Sequence, residues 1–174
     1  MIFDPTPIPG AYVVTPEPLR DERGSFARVW CREEFARHGL ADVVAQINVG
    51  VSPKAGTLRG LHYQVPPYQE AKLVCCTRGA AFDVVVGLRK GSPAYGTWHG
   101  VALDPGADRM LYVPEECAHG YLTLVDDTEV RYQASTPYSS AASRGVRFDD
   151  PALGIAWPRP IEVVSARDAA WPAL

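Results

Sequence analysis

Along most of the chain, apolar and polar residues alternate over short runs, the period of two that sends successive side chains to opposite faces of a strand. Such runs are "GAYVVT", "SFARVW", "VVAQINVGVS", "GTLRGLHYQ", "AKLVCCTRG", "AAFDVVVGLR", "GTWHGVALD", "RMLYVPEE", "GYLTLVD" and "TEVRYQAS". Each is rich in Val, Tyr, Leu or Thr and is bounded by Gly, Pro or Asp. Short strands at this spacing predict an all-β sandwich or barrel rather than alternating βα units, and an antiparallel jelly roll fits best. Only "CREEFARHGL" reads as helix, with Phe35 and Leu40 among charged helix formers and Gly39 after a solvated His38 as a natural stop.

Three strands carry polar residues that the alternation does not explain. In "TEVRYQAS", Thr128, Val130, Tyr132 and Ala134 share one face, so Tyr132 is expected to point inward. In "AAFDVVVGLR", Phe82, Val84, Val86 and Leu88 share one side and leave Asp83 on the other among apolar neighbours, where a buried carboxylate needs a partner. In "GTLRGLHYQ", strict alternation separates Arg59 from His62, but Gly60 between them can host a bulge that turns both toward one cavity. Lys72 shares a face with Val74, either at a barrel mouth or as a snorkelling edge lysine.

At 174 residues the chain can bury a core of its own, and residues 1–174 read as one domain with no repeat, low-complexity run or linker. The net charge of −3 and the lack of a basic block exclude the electrostatic footprint of a nucleic-acid binder, while a phosphate-bearing small molecule stays possible. The start "MIFDPTPIPGAYVV" has no charged segment followed by a long apolar run, and no stretch approaches a membrane span, so a cytoplasmic protein without a membrane partner is expected. Cys31, Cys75, Cys76 and Cys117 form no CxxC and read as reduced core or half-buried thiols, with Cys75 and Cys76 on opposite faces.

Spacing then ties these residues together. Gly56, His62, Glu70 and Gly79, followed by Pro114 and His119 in "PEECAH", resemble the two-part signature of the cupin superfamily. Metal-binding cupins use a His-x-His pair, a glutamate and a later histidine; here Gln64 stands at the second histidine, which depletes the donor set because transition metals prefer imidazole to a neutral amide. At finer grain, "RGLHYQ", "QEAKLV", "RGAAFDVVV", "LRKGSPAYGTW", "VPEECAHGYLTL", "DTEVRYQASTPY", "DDPALGIAWP" and "SARD" follow in order the pattern of the dTDP-4-dehydrorhamnose 3,5-epimerase family, nearly end to end.

The resemblance implies a cupin-type jelly roll with one or two short helices, usually a homodimer, with no metal and no cofactor. It also implies a nucleotide-linked 4-keto-6-deoxyhexose as substrate. A C4 ketone acidifies the protons at C3 and C5, so epimerisation needs a base on one face, an acid on the other and stabilisation of the enolate. By resemblance the base is His62, oriented by Asp168 of "SARD", which would hold the imidazole in the required tautomer. Lys72 falls near the C4 oxygen, and Tyr132 is the acid for the opposite face. His119, Arg59 and Arg23 are carried over as substrate-binding groups, the two arginines on the diphosphate. Tyr138 is placed to stack on the base, Phe26 to lie against the nucleoside, Gln46 and Asn48 to help hold it, and Arg167 to supply a basic group.

Arg28, Gly87 and Ser143 depart from the family pattern, which has glutamate, aspartate and glutamate at these places, and the loop before "TLRG" runs one residue longer. Two other classes of function share the fold. A non-catalytic sugar-nucleotide-binding cupin has no need of His62, Lys72, Tyr132 and Asp168 together. A metal-dependent cupin enzyme is disfavoured by Gln64.

Overall fold

In a computed structural model that describes residues 1–174, the chain forms thirteen strands and two short helices. The first four strands are β1 (Ile2–Pro5), β2 (Tyr12–Thr15), β3 (Leu19–Asp21) and β4 (Gly24–Phe26), and helix α1 (Arg32–Arg37) follows. Next come β5 (Gln46–Ser52), β6 (Leu58–Gln64), β7 (Lys72–Arg78), β8 (Ala81–Gly87) and β9 (Trp98–Leu103). The remainder are β10 (Met110–Val113), β11 (Cys117–Thr123), β12 (Thr128–Ala134), β13 (Ser143–Gly145) and helix α2 (Ala166–Ala169).

Two antiparallel sheets face each other, a six-stranded one in the order β1-β2-β10-β7-β12-β5 and a five-stranded one in the order β13-β6-β11-β8-β9. The main core lies between them, where Val74 and Cys76 of β7, Leu111 and Val113 of β10 and Val130 of β12 meet Val85, Val101 and Tyr121 from the opposite sheet. A second apolar layer, built on Phe35 of α1 with Val14, Leu73 and Met110, covers the outside of the first sheet. A third, with Leu61, Val84, Val86 and Leu153, covers the outside of the second. Both faces of several strands are therefore dry, which is why β11 is buried at every position and why runs such as "DVVV" alternate so weakly.

The cupin jelly roll expected from the sequence is present, and all four cysteines are free, with Cys76 facing the inner core and Cys75 the outer layer. Corrections concern element ends. The strand expected over "SFARVW" stops at Phe26, and residues 27–31 leave the sheet to reach α1. The strand expected from Gly120 starts instead at Cys117, and the one expected from Val43 starts at Gln46. Strands β1, β3 and β13 were not expected; β3 and β13 have only three residues each, too few to show a period.

Candidate active site

One end of the barrel opens into a cavity of about 450 Å³. Its wall takes Arg59 and His62 from β6, Lys72 from β7, His119 from β11 and Tyr132 from β12, so both sheets contribute. Arg59 and His62 share this cavity because the β6–β11 register slips between His119 and Tyr121, opposite Gly60. Gly60 has φ +141, and a Cβ there would overlap the backbone of Gly120; only glycine fits this bulge.

His62 Nε2 lies 2.6 Å from Asp168 Oδ1. Asp168 is buried and delivered by the start of α2, where Ser165 Oγ caps the helix by accepting the Asp168 N–H at 3.0 Å. Its Oδ2 accepts the Gly60 N–H at 3.3 Å. Burial pushes this carboxyl up, but the His62 hydrogen bond and charge, the Gly60 N–H and the Trp171 N–H outweigh it and hold the group below the usual carboxylate range. An ionised Asp168 makes Nε2–H the donor and leaves Nδ1 as the acceptor nitrogen of the ring.

A second pair stands beside the first. His119, directly across the ladder from His62, has Nε2 at 2.8 Å from Asp83 Oδ1, and both side chains are buried. Lys72 Nζ pairs with Glu70 Oε1 at 3.0 Å, the two side chains being only 8 % and 9 % exposed. The intervening Ala71 is pinned on both sides, its N–H donating to Ser135 Oγ at 2.8 Å and its carbonyl accepting the Ser135 N–H at 2.9 Å. The ammonium lies 6.0 Å from the centre of the Tyr132 ring. Burial first and the Glu70 carboxylate second push the Tyr132 phenol up, so it carries its proton at neutral pH. Tyr121, deeper in the same wall, is pushed up to about 12 by burial.

Cationic groups without carboxylates lie around this centre. Arg59 donates only to Ser52 Oγ at 3.4 Å and the Val51 carbonyl at 3.3 Å, which leaves its guanidinium open to an anion. An adjoining hollow of about 350 Å³ shares Asn48, His62, Lys72 and Tyr132 with the cavity and adds Gln46, Tyr138 and Arg167. There the Gln46 amide oxygen accepts the Tyr138 N–H at 2.8 Å, and Arg167 donates to Ser143 Oγ at 2.8 Å. Arg167 also hydrogen-bonds the Tyr138 hydroxyl, which holds that phenol below its ordinary range. The Asn48 Nδ2 is buried with no hydrogen-bond partner.

A family model described as dTDP-4-dehydrorhamnose 3,5-epimerase matches residues 5–174. The chain belongs to this family. It is 43 % identical to a dTDP-4-dehydrorhamnose 3,5-epimerase of Sinorhizobium fredii over 100 % of its own length and 90 % of the relative's. Its fold matches the crystal structure of dTDP-4-dehydrorhamnose 3,5-epimerase from Elizabethkingia anophelis with a TM-score of 0.96 at 33 % identity, covering 99 % of this chain and 96 % of that one. It also matches ChmJ, a 3'-monoepimerase from Streptomyces bikiniensis in complex with dTDP-quinovose, with a TM-score of 0.89 at 39 % identity, covering 97 % and 86 %.

Of the residues expected at an epimerase-family site, His62, Lys72, Tyr132, Asp168, Arg59, His119 and Asn48 line the cavity, and Gln46, Tyr138 and Arg167 line the hollow beside it. Arg23 and Phe26 are elsewhere. They sit on the β3–β4 hairpin, a separate two-stranded ribbon whose residues are all exposed, with Arg23 paired to Asp21 and Phe26 76 % exposed. Glu70, expected only as a member of the depleted cupin donor set, proves to be the partner of Lys72, and Trp171 was missed as a site neighbour. Sequence reasoning did flag Asp83 as needing a partner, which is His119, 36 residues away on the neighbouring strand.

The three side chains of the depleted cupin donor set are each engaged elsewhere: His62 with Asp168, Glu70 with Lys72 and His119 with Asp83. Gln64, at the place of the second histidine, spends its amide on Tyr68, Pro137 and Ser139 backbone groups. No three His, Cys, Asp or Glu side chains converge. Two of the departures also gain reasons. A Cβ at Gly87 would overlap the Ala94 carbonyl, so aspartate does not fit there, and Ser143 accepts from Arg167 where a carboxylate would pair with it.

Proposed function

We propose that the chain is an isomerase that inverts C3, C5 or both of a dTDP-linked 4-keto-6-deoxyhexose. The observation that carries this reading is the grouping in one cavity of His62, held by an ionised Asp168, with Lys72 and a protonated Tyr132. His62 takes the proton from the carbon next to the C4 ketone, and the electron pair moves to the C4 oxygen. Lys72 ammonium stabilises the enolate oxygen. Tyr132 then returns a proton to the same carbon from the other side, and solvent exchange resets both groups. His62 and Tyr132 come from opposing sheets, which supports attack on opposite faces of a sugar held between them.

Arg59 binds the diphosphate, His119 binds the sugar with Asp83 fixing its ring, and Tyr138, Gln46, Asn48 and Arg167 receive the nucleoside. Incubation with dTDP-4-keto-6-deoxyglucose in deuterated water, followed by NMR, tests the assignment. Deuterium at C3 at least is expected; no exchange at any carbon with any nucleotide-linked 4-keto-6-deoxyhexose leaves a binding module instead.

The working form is a homodimer of single-domain chains. Strand β5 is the free edge of its sheet, and Ile47, Val49 and Val51 project from it at 57 %, 57 % and 45 % exposure, an open apolar edge of the kind that pairs with another chain. The exposed Leu19 and Phe26 on the hairpin add apolar surface. In such a dimer, Arg23 and Phe26 serve the cavity of the other copy, which accounts for their distance from their own. Val49→Lys is expected to give the monomer mass in light scattering and to lower activity; an active dimer would overturn this arrangement. The four free cysteines support a reducing, cytoplasmic setting.

A further inference from the structure

The indole of Trp171 touches the candidate dyad and the nucleotide-side hollow at once. Its Nε1–H donates to Asp168 Oδ1 at 3.3 Å, the same oxygen that lies 2.6 Å from His62 Nε2. The ring stands edge-on to the His62 imidazole, with centroids 6.3 Å apart and planes at 72°. The Arg167 guanidinium lies over the indole, 5.1 Å from the ring centre.

The fold makes room for this ring. Gly145 of β13 is the ladder partner of His62, and a Cβ there would overlap the indole. The segment is tied down on its far side by the Arg147 N–H, which donates to the Pro172 carbonyl at 3.0 Å. A tryptophan used only to cover apolar surface has no need to aim its N–H at a buried carboxylate that already has a partner. Three donors converge on Asp168: His62 and Trp171 on Oδ1, and the Gly60 N–H on Oδ2. Together they fix the carboxylate plane, and only Trp171 reaches it from outside the strand that carries the base.

We infer that Trp171 is a positioning residue for the epimerisation, holding the Asp168 carboxylate in the plane that orients His62 and joining that carboxylate to the Arg167 wall of the nucleotide hollow. The inference rests on His62 acting as the base. It makes two separate demands on kinetics. Loss of the N–H alone affects the dyad and is felt in kcat. Loss of the whole ring also removes the surface beneath Arg167 and is felt in KM.

The test compares Trp171→Phe, Asp168→Asn and the double variant in the deuterium-exchange assay. Trp171→Phe keeps a ring under Arg167 and removes the donor; about tenfold loss of kcat with unchanged KM is expected, the scale of one hydrogen bond to a charged group. Trp171→Ala is expected to add a rise in KM. In the Asp168→Asn background, Trp171→Phe is expected to cost nothing further, because both act through one carboxylate. Full activity of Trp171→Phe, or the same fold loss in both backgrounds, overturns the inference. Should Trp171→Phe fail to fold, Gly145→Ala, which displaces the indole and leaves the dyad residues intact, is expected to lower kcat and raise KM as Trp171→Ala does, and full activity in it overturns the inference. The His62–Asp168 ring proton, followed by NMR without substrate, should also shift in Trp171→Phe; an unmoved signal likewise contradicts the role. Absence of exchange in the unmutated enzyme would count against the epimerase reading instead.

Discussion

His62→Asn is expected to abolish deuterium exchange into the sugar, with a loss of at least about a thousandfold, within the range that general-base catalysis contributes. The buried Asp168 carboxylate keeps the Gly60 and Trp171 N–H groups as partners, so the fold should survive. The nearest other imidazole, His119, already has its Nε2 on the buried Asp83 and comes from the neighbouring strand, so it is held for a different place in the cavity. Asp168→Asn should fall less far, because the imidazole stays in the cavity and loses only its orientation. Exchange is read by NMR in deuterated water, and folding by thermal melting. A folded His62→Asn enzyme with wild-type exchange would remove the base from the mechanism.

Tyr132→Phe separates proton removal from proton delivery. The ring and its packing against the inner core remain, so no cavity is created, and only the hydroxyl is lost. His62 and Lys72 still form the enolate, and a base that removes a proton can return one to the same face. Recovered substrate should therefore carry deuterium in its original configuration, while inversion falls by about a hundredfold or more. Wild-type inversion in this variant would make Tyr132 a wall residue and require another donor.

The jelly roll was legible because period-two runs closed by Gly, Pro and Asp report strand faces directly. The same parity placed Tyr132 inward, and the glycine inside "RGLH" announced the bulge that brings Arg59 and His62 together. Pairings across the fold were not legible. Asp168 reaches His62 over 106 residues of sequence through a four-residue helix too short for any periodic signal, and only the family resemblance nominated it. Glu70 was legible only as a carboxylate of the cupin signature and not as the partner of Lys72, and Trp171 carries no motif at all; it matters because the space left by Gly145 and the start of α2 bring its N–H to Asp168. Arg23 and Phe26 show the limit of residue-by-residue transfer, since a single chain leaves them on an exposed ribbon.

The most direct test of inversion between two opposed groups follows the label through one turnover. Substrate deuterated at C3 is mixed with excess enzyme in ordinary water, and the first inverted product is examined by NMR and mass spectrometry. If His62 removes the deuteron on one face and Tyr132 supplies a proton on the other, the inverted C3 carries protium from the start. Deuterium retained at the inverted carbon would mean that one group handles both faces, and the division of labour between His62 and Tyr132 would be wrong.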